Sequence, residues 1–398
     1  MNILQLCNKL PYPEKDGGAI AIASLSNSLL EAGCKVKMLA MNTSRHYVNV
    51  DLISKEFRDK TSLEAVDVNT DIRASAALWA LLTGKSYNIW RFISNGFKEK
   101  LAAILKEDKY DIVQLEGLYL TPYIHYIRSH SKAKIVLRAH NVEWIIWEKL
   151  AGEASGIKKL YLNSLAKSLK AYEARAINKC DAVTVFTQVD KKQLIEMGCK
   201  VPVEVFPFGI DLSKYQPAAS NHISSLFFIG ALDWMPNLQG LEWFLNKVWS
   251  KVHASFPKVE FNVAGRNMPT RLLNASHPNV RFHGEVENAL NFMNGQGIMV
   301  SPLFAGSGIR VKIIEGMALG KAIVATSLAA QGIECKPGKD ILIANSPEES
   351  YEAIKHCLES SEFIANISGS ARAFVESSYN IKTITTNLLR FYTELINA

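Results

Sequence analysis

Short apolar runs alternate along the chain with longer stretches in which apolar and polar residues follow a helical spacing. Strands of a parallel sheet are covered on both faces, so they read as nearly continuous apolar runs. The pattern therefore predicts two parallel sheets covered by helices. The predicted strands are "NILQLC", "KVKMLAM", "DIVQLEG", "KIVLRAH", "DAVTVFT" and "PVEVFPF" in the first half and "SSLFFIGAL", "VEFNVAG", "NVRFHGE", "GIMVSPL", "KAIVAT" and "DILIAN" in the second.

Two helical segments of the first half carry recognisable boundaries. The segment 19–33 is amphipathic and is expected to end at Gly33, because glycine commonly terminates helices. The segment 142–180 is long for one helix, and we expect a break near Gly152 and Gly156.

The segment 208–224 lacks periodicity and is rich in Pro, Ser and Asn, which is typical of a linker. We therefore predict an α/β protein with two Rossmann-like domains, residues 1–207 and 225–378, facing a central cleft. The last predicted helix, about 379–398, is expected to pack back on the first domain.

Composition supports a folded protein. The 398 residues are 48% hydrophobic and 21% charged, which excludes a disordered or fibrous class. The six cysteines show no metal-ligand spacing or disulfide framework, and no run of 18 apolar residues occurs. The first residues lack the segments of a secretory signal. These features favour a cytoplasmic protein without a metal site.

The net charge of +7 is unevenly placed. Residues 1–200 hold 29 Lys and Arg against 21 Asp and Glu, whereas residues 201–398 hold 16 against 17. The first half is thus either a solvated basic face or suited to an anionic membrane surface. No nucleic-acid module is recognisable, so nucleic acid is not an expected partner. Aromatic and basic residues mix over 77–100, which fits an interfacial membrane surface or an ordinary core helix.

The stretch "SPLFAGSGIRVKIIEG" after a predicted strand has the composition of a phosphate-binding turn. Gly306, Ser307 and Gly308 would allow close approach of the backbone to a phosphate, and Arg310 and Lys312 would supply positive charge. Glu315 lies further along the helix, where a carboxylate accepts hydrogen bonds from ribose hydroxyls. A plain strand-to-helix turn with solvated cations is the alternative.

Two further turns follow predicted strands of the first half. Gly17 and Gly18, beside Asp16, would let a ligand approach the start of the first helix. In "LRAHNVEW", His140 could donate to a sugar hydroxyl, and Asn141 or Glu143 could cap the following helix. Plain connections and a structural histidine remain equally compatible with these residues.

The chain resembles glycosyltransferase family 4, which has the GT-B fold. The resemblance is carried by "PYPEKDGGA", "LRAHNVEW", "CDAVTVFTQVD", "VEVFPFGID", "FIGALDWMPNLQGLEWF", "VAGRN" and "SPLFAGSGIRVKIIEGMALGKAIVAT". It implies transfer of a sugar from a nucleotide diphosphate sugar to an acceptor with retention of anomeric configuration, with no metal and no cofactor. It places Glu315 at the donor ribose, Gly18 and Gly306 to Gly308 beside the diphosphate, and His140 near the transferred sugar. The expected donor-binding residues are Gly17, Gly18, Gly230, Gly306, Ser307, Gly308, Ile309, Arg310, Lys312 and Glu315.

The sequence departs from this family pattern at two places. Ser307 stands where many members have a second glutamate, eight positions before the one matching Glu315. Asp233 and Trp234 follow a strand where many members have an arginine and a lysine. We infer that Arg310 and Lys312 supply the missing charge, because a diphosphate leaving group needs stabilisation. The expected catalytic residues are therefore His140, Arg310 and Lys312, and contacts to the acceptor or its surroundings are assigned to Asp16, Asn141, Glu143 and Asp233.

The expected function is that of a retaining hexosyltransferase in cell-surface polysaccharide biosynthesis, acting on a glycan or lipid-linked acceptor. It would act in the cytoplasm, with the inner membrane face as an attachment surface for its basic half. Two alternatives remain open from the residues: an epimerase or phosphorylase of GT-B shape, and a non-catalytic protein that binds a sugar nucleotide.

Overall fold

The computed structural model describes residues 1–12, 17–71, 86–217, 225–306 and 309–398. Contacts within the chain divide it into two compact units. The first unit comprises Met1–Gly209 together with Ile381–Ala398, and the second unit comprises Ile210–Asn380.

The first unit contains a parallel sheet in the order β3-β2-β1-β4-β5-β6-β7, counting the strands of the described residues. Its strands are β1 Asn2–Cys7, β2 Lys35–Thr43, β3 Glu64–Val68, β4 Ile112–Glu116, β5 Lys134–Ala139, β6 Ala182–Val185 and β7 Val203–Val205. All six strands predicted for this half are present. The edge strand β3 was not predicted, because its Glu64 and Asp67 interrupt the apolar pattern.

Helices cover both faces of this sheet. They are α1 Gly17–Glu31, α2 Lys55–Lys60, α3 Tyr87–Trp90, α4 Asn95–Glu107, α5 Ile124–His130, α6 Glu143–Glu153, α7 Gly156–Ile177 and α8 Gln188–Glu196. Helix α1 is followed by Gly33 at φ +81°, a left-handed conformation that glycine adopts without strain. The expected break falls between α6 and α7, where Gly156 has φ +59°. Both predicted helix boundaries are therefore confirmed.

The last helix of the chain, α16 (Ile381–Asn397), belongs to the first unit. Its Leu388 and Tyr392 pack against Ile3 of β1 and Ile112 of β4 in one apolar cluster. The hydroxyl of Tyr392 donates to Gln114 Oε1 at 2.5 Å, so its one polar atom is satisfied although the side chain is fully buried. The helix thus completes the core under the centre of the first sheet.

The second unit repeats the scheme with a parallel sheet ordered β10-β9-β8-β11-β12-β13 in the described residues. Its strands are β8 Ser225–Ile229, β9 Glu260–Ala264, β10 Val280–Gly284, β11 Ile298–Ser301, β12 Ala322–Ala325 and β13 Leu342–Ile343. Its helices are α9 Met235–Phe244, α10 Ser250–Ser255, α11 Thr270–Leu273, α12 Ala289–Asn294, α13 Val311–Ala318, α14 Pro347–Glu359 and α15 Ser361–Ser378. Each strand predicted for the second half is present.

The first part of the predicted linker is packed rather than free. Leu212–Lys214 form a 3₁₀ turn and Tyr215 is 6% exposed within the second unit. The Arg372 guanidinium donates to the carbonyl of Tyr215 at 2.6 Å. Residues 218–224 lie outside the described residues.

The aromatic and basic segment 77–100 is split between two environments. Phe92 and Phe97 are buried in the core of the first unit, whereas Trp90 is 41% exposed. Trp79 and Lys85 lie outside the described residues. Nowhere in the described residues is a helix both long and apolar enough to cross a membrane.

Candidate functional site

Both sheets have a switch point, where successive strands stop being added on one side of the first strand and are added on its other side. In the second unit β8 lies between β9 and β11, so consecutive strands diverge on either side of it. In the first unit β1 lies in the same way between β2 and β4. Loops that leave two such strands separate and open a crevice at their carboxyl ends, where α/β proteins bind ligands. The candidate site residues can therefore be located relative to these two points.

At the crevice of the second unit, the loop after β8 approaches its neighbours closely. A Cβ atom on Gly230 would lie 2.8 Å from Asn237 Nδ2. That amide donates to the carbonyl of Ala231 at 2.9 Å and so fixes the loop. A larger residue at position 230 would displace this amide. Packing against Asn237 therefore explains why the residue is glycine.

Across this crevice, the loop after β11 carries Gly306 with φ +111°. A Cβ atom there would lie 2.7 Å from the ring of Trp234 and 2.8 Å from an Arg310 guanidinium nitrogen. The guanidinium carbon of Arg310 lies 5.0 Å from the Trp234 ring centroid, within cation–π range. Trp234, which replaces a cation of the family pattern, thus positions the cation that the sequence analysis assigned to the diphosphate.

Arg310 is the residue that precedes helix α13, and no side chain caps that helix end in the described residues. Uncapped backbone N–H groups and the helix dipole favour an anion at such an end. Burial lowers the pKa of Arg310, but a guanidinium remains charged at neutral pH. Ile309 is half-buried beside it, while Ser307 and Gly308 lie outside the described residues.

The other two expected donor contacts pair with each other. Lys312 Nζ lies 2.8 Å from Glu315 Oε2, one turn apart on α13. The hydroxyl of Tyr215 donates to Glu315 Oε1 at 3.0 Å. Glu315 is only 4% exposed, so its charge is balanced by Lys312 and its position is set by both neighbours. Tyr215 was not identified from the sequence, because it belongs to the stretch interpreted as linker.

Asp233 lies at the same edge of the second sheet, half-exposed after β8. It accepts from Asn267 Nδ2 at 3.0 Å, and Arg266 Nε lies 3.7 Å from its other oxygen. Arg266 follows β9 after Gly265, so it is a second cation at this edge that the sequence did not single out. Its position after "VEFNVAG" was the available signal.

In the first unit, α1 begins at Gly17 and Gly18 near the carboxyl end of β1. Gly17 is exposed and Gly18 is half-buried. Asp16 lies outside the described residues. The two glycines therefore occupy the start of a helix beside the first crevice.

His140, at the end of β5, is held by a carboxylate that the sequence analysis missed. Its Nε2 lies 2.6 Å from Glu116 Oε2, and Glu116 is fully buried at the end of β4. Glu116 was quoted only as part of an apolar strand. The parallel register that pairs Glu116 with Arg138 brings the two strand ends together.

Arg138 balances the buried carboxylate, donating from Nη1 to Glu116 Oε2 at 3.2 Å. Gln114 also donates to Glu116. Burial alone would raise the pKa of Glu116, but Arg138, His140 and Gln114 together hold it below its usual range. An ionised carboxylate only accepts hydrogen bonds, so the shared proton belongs to His140 Nε2. A neutral His140 with its proton on Nε2 presents Nδ1 as an acceptor, and its contact with a sugar hydroxyl stays a prediction.

The expectation that Asn141 or Glu143 caps helix α6 is wrong. The residue at the cap is Val142, and the cap is supplied from α7 by Glu173, which accepts from the backbone N–H groups of Glu143 at 3.0 Å and Trp144 at 3.1 Å. Glu143 instead accepts from the Tyr119 hydroxyl at 2.7 Å. Burial raises the pKa of Glu143, and it raises that of Glu173 to about 8. Asn141 is half-buried beside these residues.

No group of three or more His, Cys, Asp or Glu side chains suited to a metal ion occurs within the described parts of the chain.

Comparisons with known proteins agree with this architecture. The family model for Glycosyltransferase Family 4 matches residues 15–214, just over half of the chain, and the model for Glycosyl transferases group 1 matches residues 224–360. An uncharacterized 44.6 kDa protein in the cps region of Klebsiella pneumoniae is 23% identical over 98% of this chain and 99% of its own length.

Solved structures share the fold over the full length. Sucrose-phosphate synthase from Thermosynechococcus elongatus superposes with a TM-score of 0.72 at 14% identity and covers all of both chains. Anabaena HepE in complex with UDP-glucose gives 0.67 at 13%, covering 99% of this chain and 100% of its own. TarM gives 0.69 at 11%, covering 100% and 99%. The predicted GT-B fold with two Rossmann-like units is confirmed.

The match to the family model over half of the chain, with the same fold in these structures, decides the family: this protein is a glycosyltransferase that belongs to glycosyltransferase family 4.

Proposed function

We propose that the protein is a retaining enzyme that transfers a sugar from a nucleotide diphosphate sugar to a glycan or lipid-linked acceptor in cell-surface polysaccharide synthesis. The observation that carries this proposal is the crevice of the second unit, where Arg310 lies against Trp234 at the start of α13, an end that no side chain of the described residues caps. A cation at a helix N-terminus suits a diphosphate.

The remaining donor contacts follow from the same helix. Glu315, held by Tyr215 and Lys312, is assigned to the ribose hydroxyls. Lys312 pairs with Glu315, so in this proposal it acts on the donor through Glu315 and not by direct contact. Arg310 is therefore the principal cation for the diphosphate in this proposal.

Retention is supported by the state of two carboxylates that an inverting reaction would need as a base. Glu143 is engaged by Tyr119, and Asp233 is engaged by Asn267 and Arg266. In the proposed reaction the acceptor oxygen bonds to the anomeric carbon on the face from which the diphosphate departs. The bond to the diphosphate breaks, and its departing oxygen takes the acceptor proton. Arg310 stabilises the charge that develops on that oxygen.

The first unit is assigned to the acceptor and to the transferred sugar. His140, fixed by Glu116, would accept a hydrogen bond at Nδ1 from a sugar hydroxyl. The excess of Lys and Arg in residues 1–200 supports attachment of this unit to an anionic membrane surface, where a lipid-linked acceptor would be found.

The relatives narrow the choice of substrates to be tested first. The HepE structure holds UDP-glucose, and a TarM structure from S. aureus holds UDP. The Klebsiella pneumoniae relative is a protein in a cps region. UDP-sugars and a lipid-linked glycan are therefore the first donors and acceptors to examine.

The test is a panel of nucleotide diphosphate sugars assayed for nucleotide release with and without membrane extract as the acceptor source, in the presence of EDTA. We expect acceptor-dependent release from one donor, unaffected by EDTA, and a product whose anomeric configuration by NMR equals that of the donor. An inverted product would overturn retention. Loss of activity in EDTA would overturn the assignment of a metal-independent reaction.

A further inference from the structure

The hairpin of α6 and α7 ends in an exposed apolar tip. Ile157 is 86% exposed and Leu160 is 71% exposed, three residues apart on one face of α7. Leu150, in the last turn of α6, is 44% exposed. We call Leu150, Ile157 and Leu160 the hairpin tip. Full exposure of such side chains costs about 1.5–3 kcal/mol each relative to burial, so their grouping calls for a partner.

The charges around the hairpin tip are mostly positive. From Glu148 to Lys170 the chain carries five lysines and two acids, Glu148 and Glu153. Lys149, Lys158 and Lys159 are exposed next to the tip. Apolar side chains surrounded by lysines match the interface of an anionic bilayer, in which acyl chains lie beneath negative headgroups.

The direction of the hairpin follows from the cap of α6. Glu173, four residues before the end of α7, accepts from the first N–H groups of α6, so α6 begins beside the last turns of α7. The two helices therefore run antiparallel, out to the turn at 154–155. Helix α6 has 11 residues, which places the tip about 16 Å from its start. That start follows His140 by three residues, at the carboxyl edge of the first sheet.

We propose that the hairpin tip is a membrane anchor that inserts Ile157 and Leu160 among the headgroups of an anionic bilayer. This inference rests on the membrane attachment in the proposed function and specifies the surface responsible. The tip projects from the sheet edge that carries His140, so insertion would hold this edge within about 16 Å of the headgroups.

The test is cosedimentation of the full chain with phosphatidylcholine vesicles that contain about 30% phosphatidylglycerol. We expect Ile157→Glu/Leu160→Glu to lose at least about tenfold in vesicle affinity. The matched control is Ile195→Glu/Leu273→Glu, which places the same charges at apolar side chains that are 52% and 48% exposed elsewhere. It should bind like wild type.

The lysines are tested in the same assay. Lys158→Gln/Lys159→Gln should weaken binding by about fivefold for each lysine, and the loss should shrink as salt is added. Lys336→Gln/Lys339→Gln, at exposed lysines of the second unit, is the control. Nucleotide release from the donor, measured without vesicles, should be unchanged in all four variants.

The failures are distinguishable. If Ile157→Glu/Leu160→Glu binds the vesicles as tightly as wild type, the anchor is overturned while membrane attachment stands. A wild-type chain that does not bind anionic vesicles at low salt would overturn both, without affecting the transferase assignment. Dissociation of an oligomer by the same variant, with no change in vesicle binding, would make the tip a protein interface and also overturn the proposal.

Discussion

His140 Nε2 lies 2.6 Å from the fully buried carboxylate of Glu116. This relationship fixes which ring nitrogen carries the proton, because an ionised carboxylate cannot donate. It leaves Nδ1 as the acceptor of a neutral His140 and makes Glu116 a positioning residue for it.

Glu116→Gln is expected to lower kcat with the proposed donor by about ten to a hundredfold, because a neutral amide no longer fixes the proton on Nε2. His140→Ala should have a similar effect. The double variant should be little worse than either single one, since both changes remove the same interaction. Steady-state kinetics of the three variants measure this.

Additive losses in the double variant would contradict this coupling. Glu116 also pairs with Arg138, so thermal unfolding of each variant must be followed alongside. ¹⁵N NMR of the histidine rings gives a second readout: the His140 ring of wild type should show the Nε2-protonated form, and Glu116→Gln should shift this population.

Arg310→Ala should weaken UDP binding by about ten to a hundredfold, because a charge-assisted hydrogen bond contributes about 1.5–3 kcal/mol. Isothermal titration with UDP measures the change. The matched control is Arg281→Ala, which removes an exposed arginine of β10 that pairs with Glu260 of β9. It should bind UDP like wild type. Unchanged UDP affinity in Arg310→Ala would remove the assignment of this cation.

Tyr215→Phe should raise KM for the donor by about tenfold with little change in kcat, because Glu315 loses the hydroxyl that sets its position. Tyr351→Phe is the control, since that hydroxyl pairs with Ser255 instead. A changed KM in both variants, or in neither, would argue against a specific role of Tyr215 at the ribose.

Stability should depend on pH through Glu173. Its pKa is about 8 in the folded protein, against an ordinary value of 4.5. Between these values the folded state holds a proton that the unfolded state has lost, so the free energy of unfolding falls as pH rises through this window. The decline is at most about 1.4 kcal/mol per pH unit.

Glu173→Gln stays neutral at every pH, so its stability relative to wild type should improve between pH 5 and pH 8. Urea midpoints at several pH values measure the difference. Glu148→Gln, an exposed position on α6, should show a constant difference from wild type across the same range. A constant difference for Glu173→Gln as well would contradict the assigned protonation.

The fold was readable from the sequence because its strands are buried on both faces and appear as apolar runs. Among the strands of the described residues only β3 was not predicted, since it lies at the sheet edge, where Glu64 pairs with Lys37 and polar residues are tolerated. The glycine turns and the charged start of α13 were also readable, because they are local features.

The parts of the site that could not be predicted depend on distant contacts. Glu116 and Arg138 resemble polar interruptions of two strands until the register places them side by side. Glu173 caps a helix that begins thirty residues earlier in the chain. Local spacing carries no information on such pairs.

The return of α16 to the first unit sets an order of events during synthesis. The chain emerges from the ribosome at about 5–20 residues per second, so Leu388 and Tyr392 follow Met1–Gly209 by the time needed to make Ile210–Asn380, roughly 10–30 s. Until then Ile3 and Ile112 lack the helix that covers them. The second unit can therefore fold first, and the nascent first unit presents an apolar face for chaperones to bind.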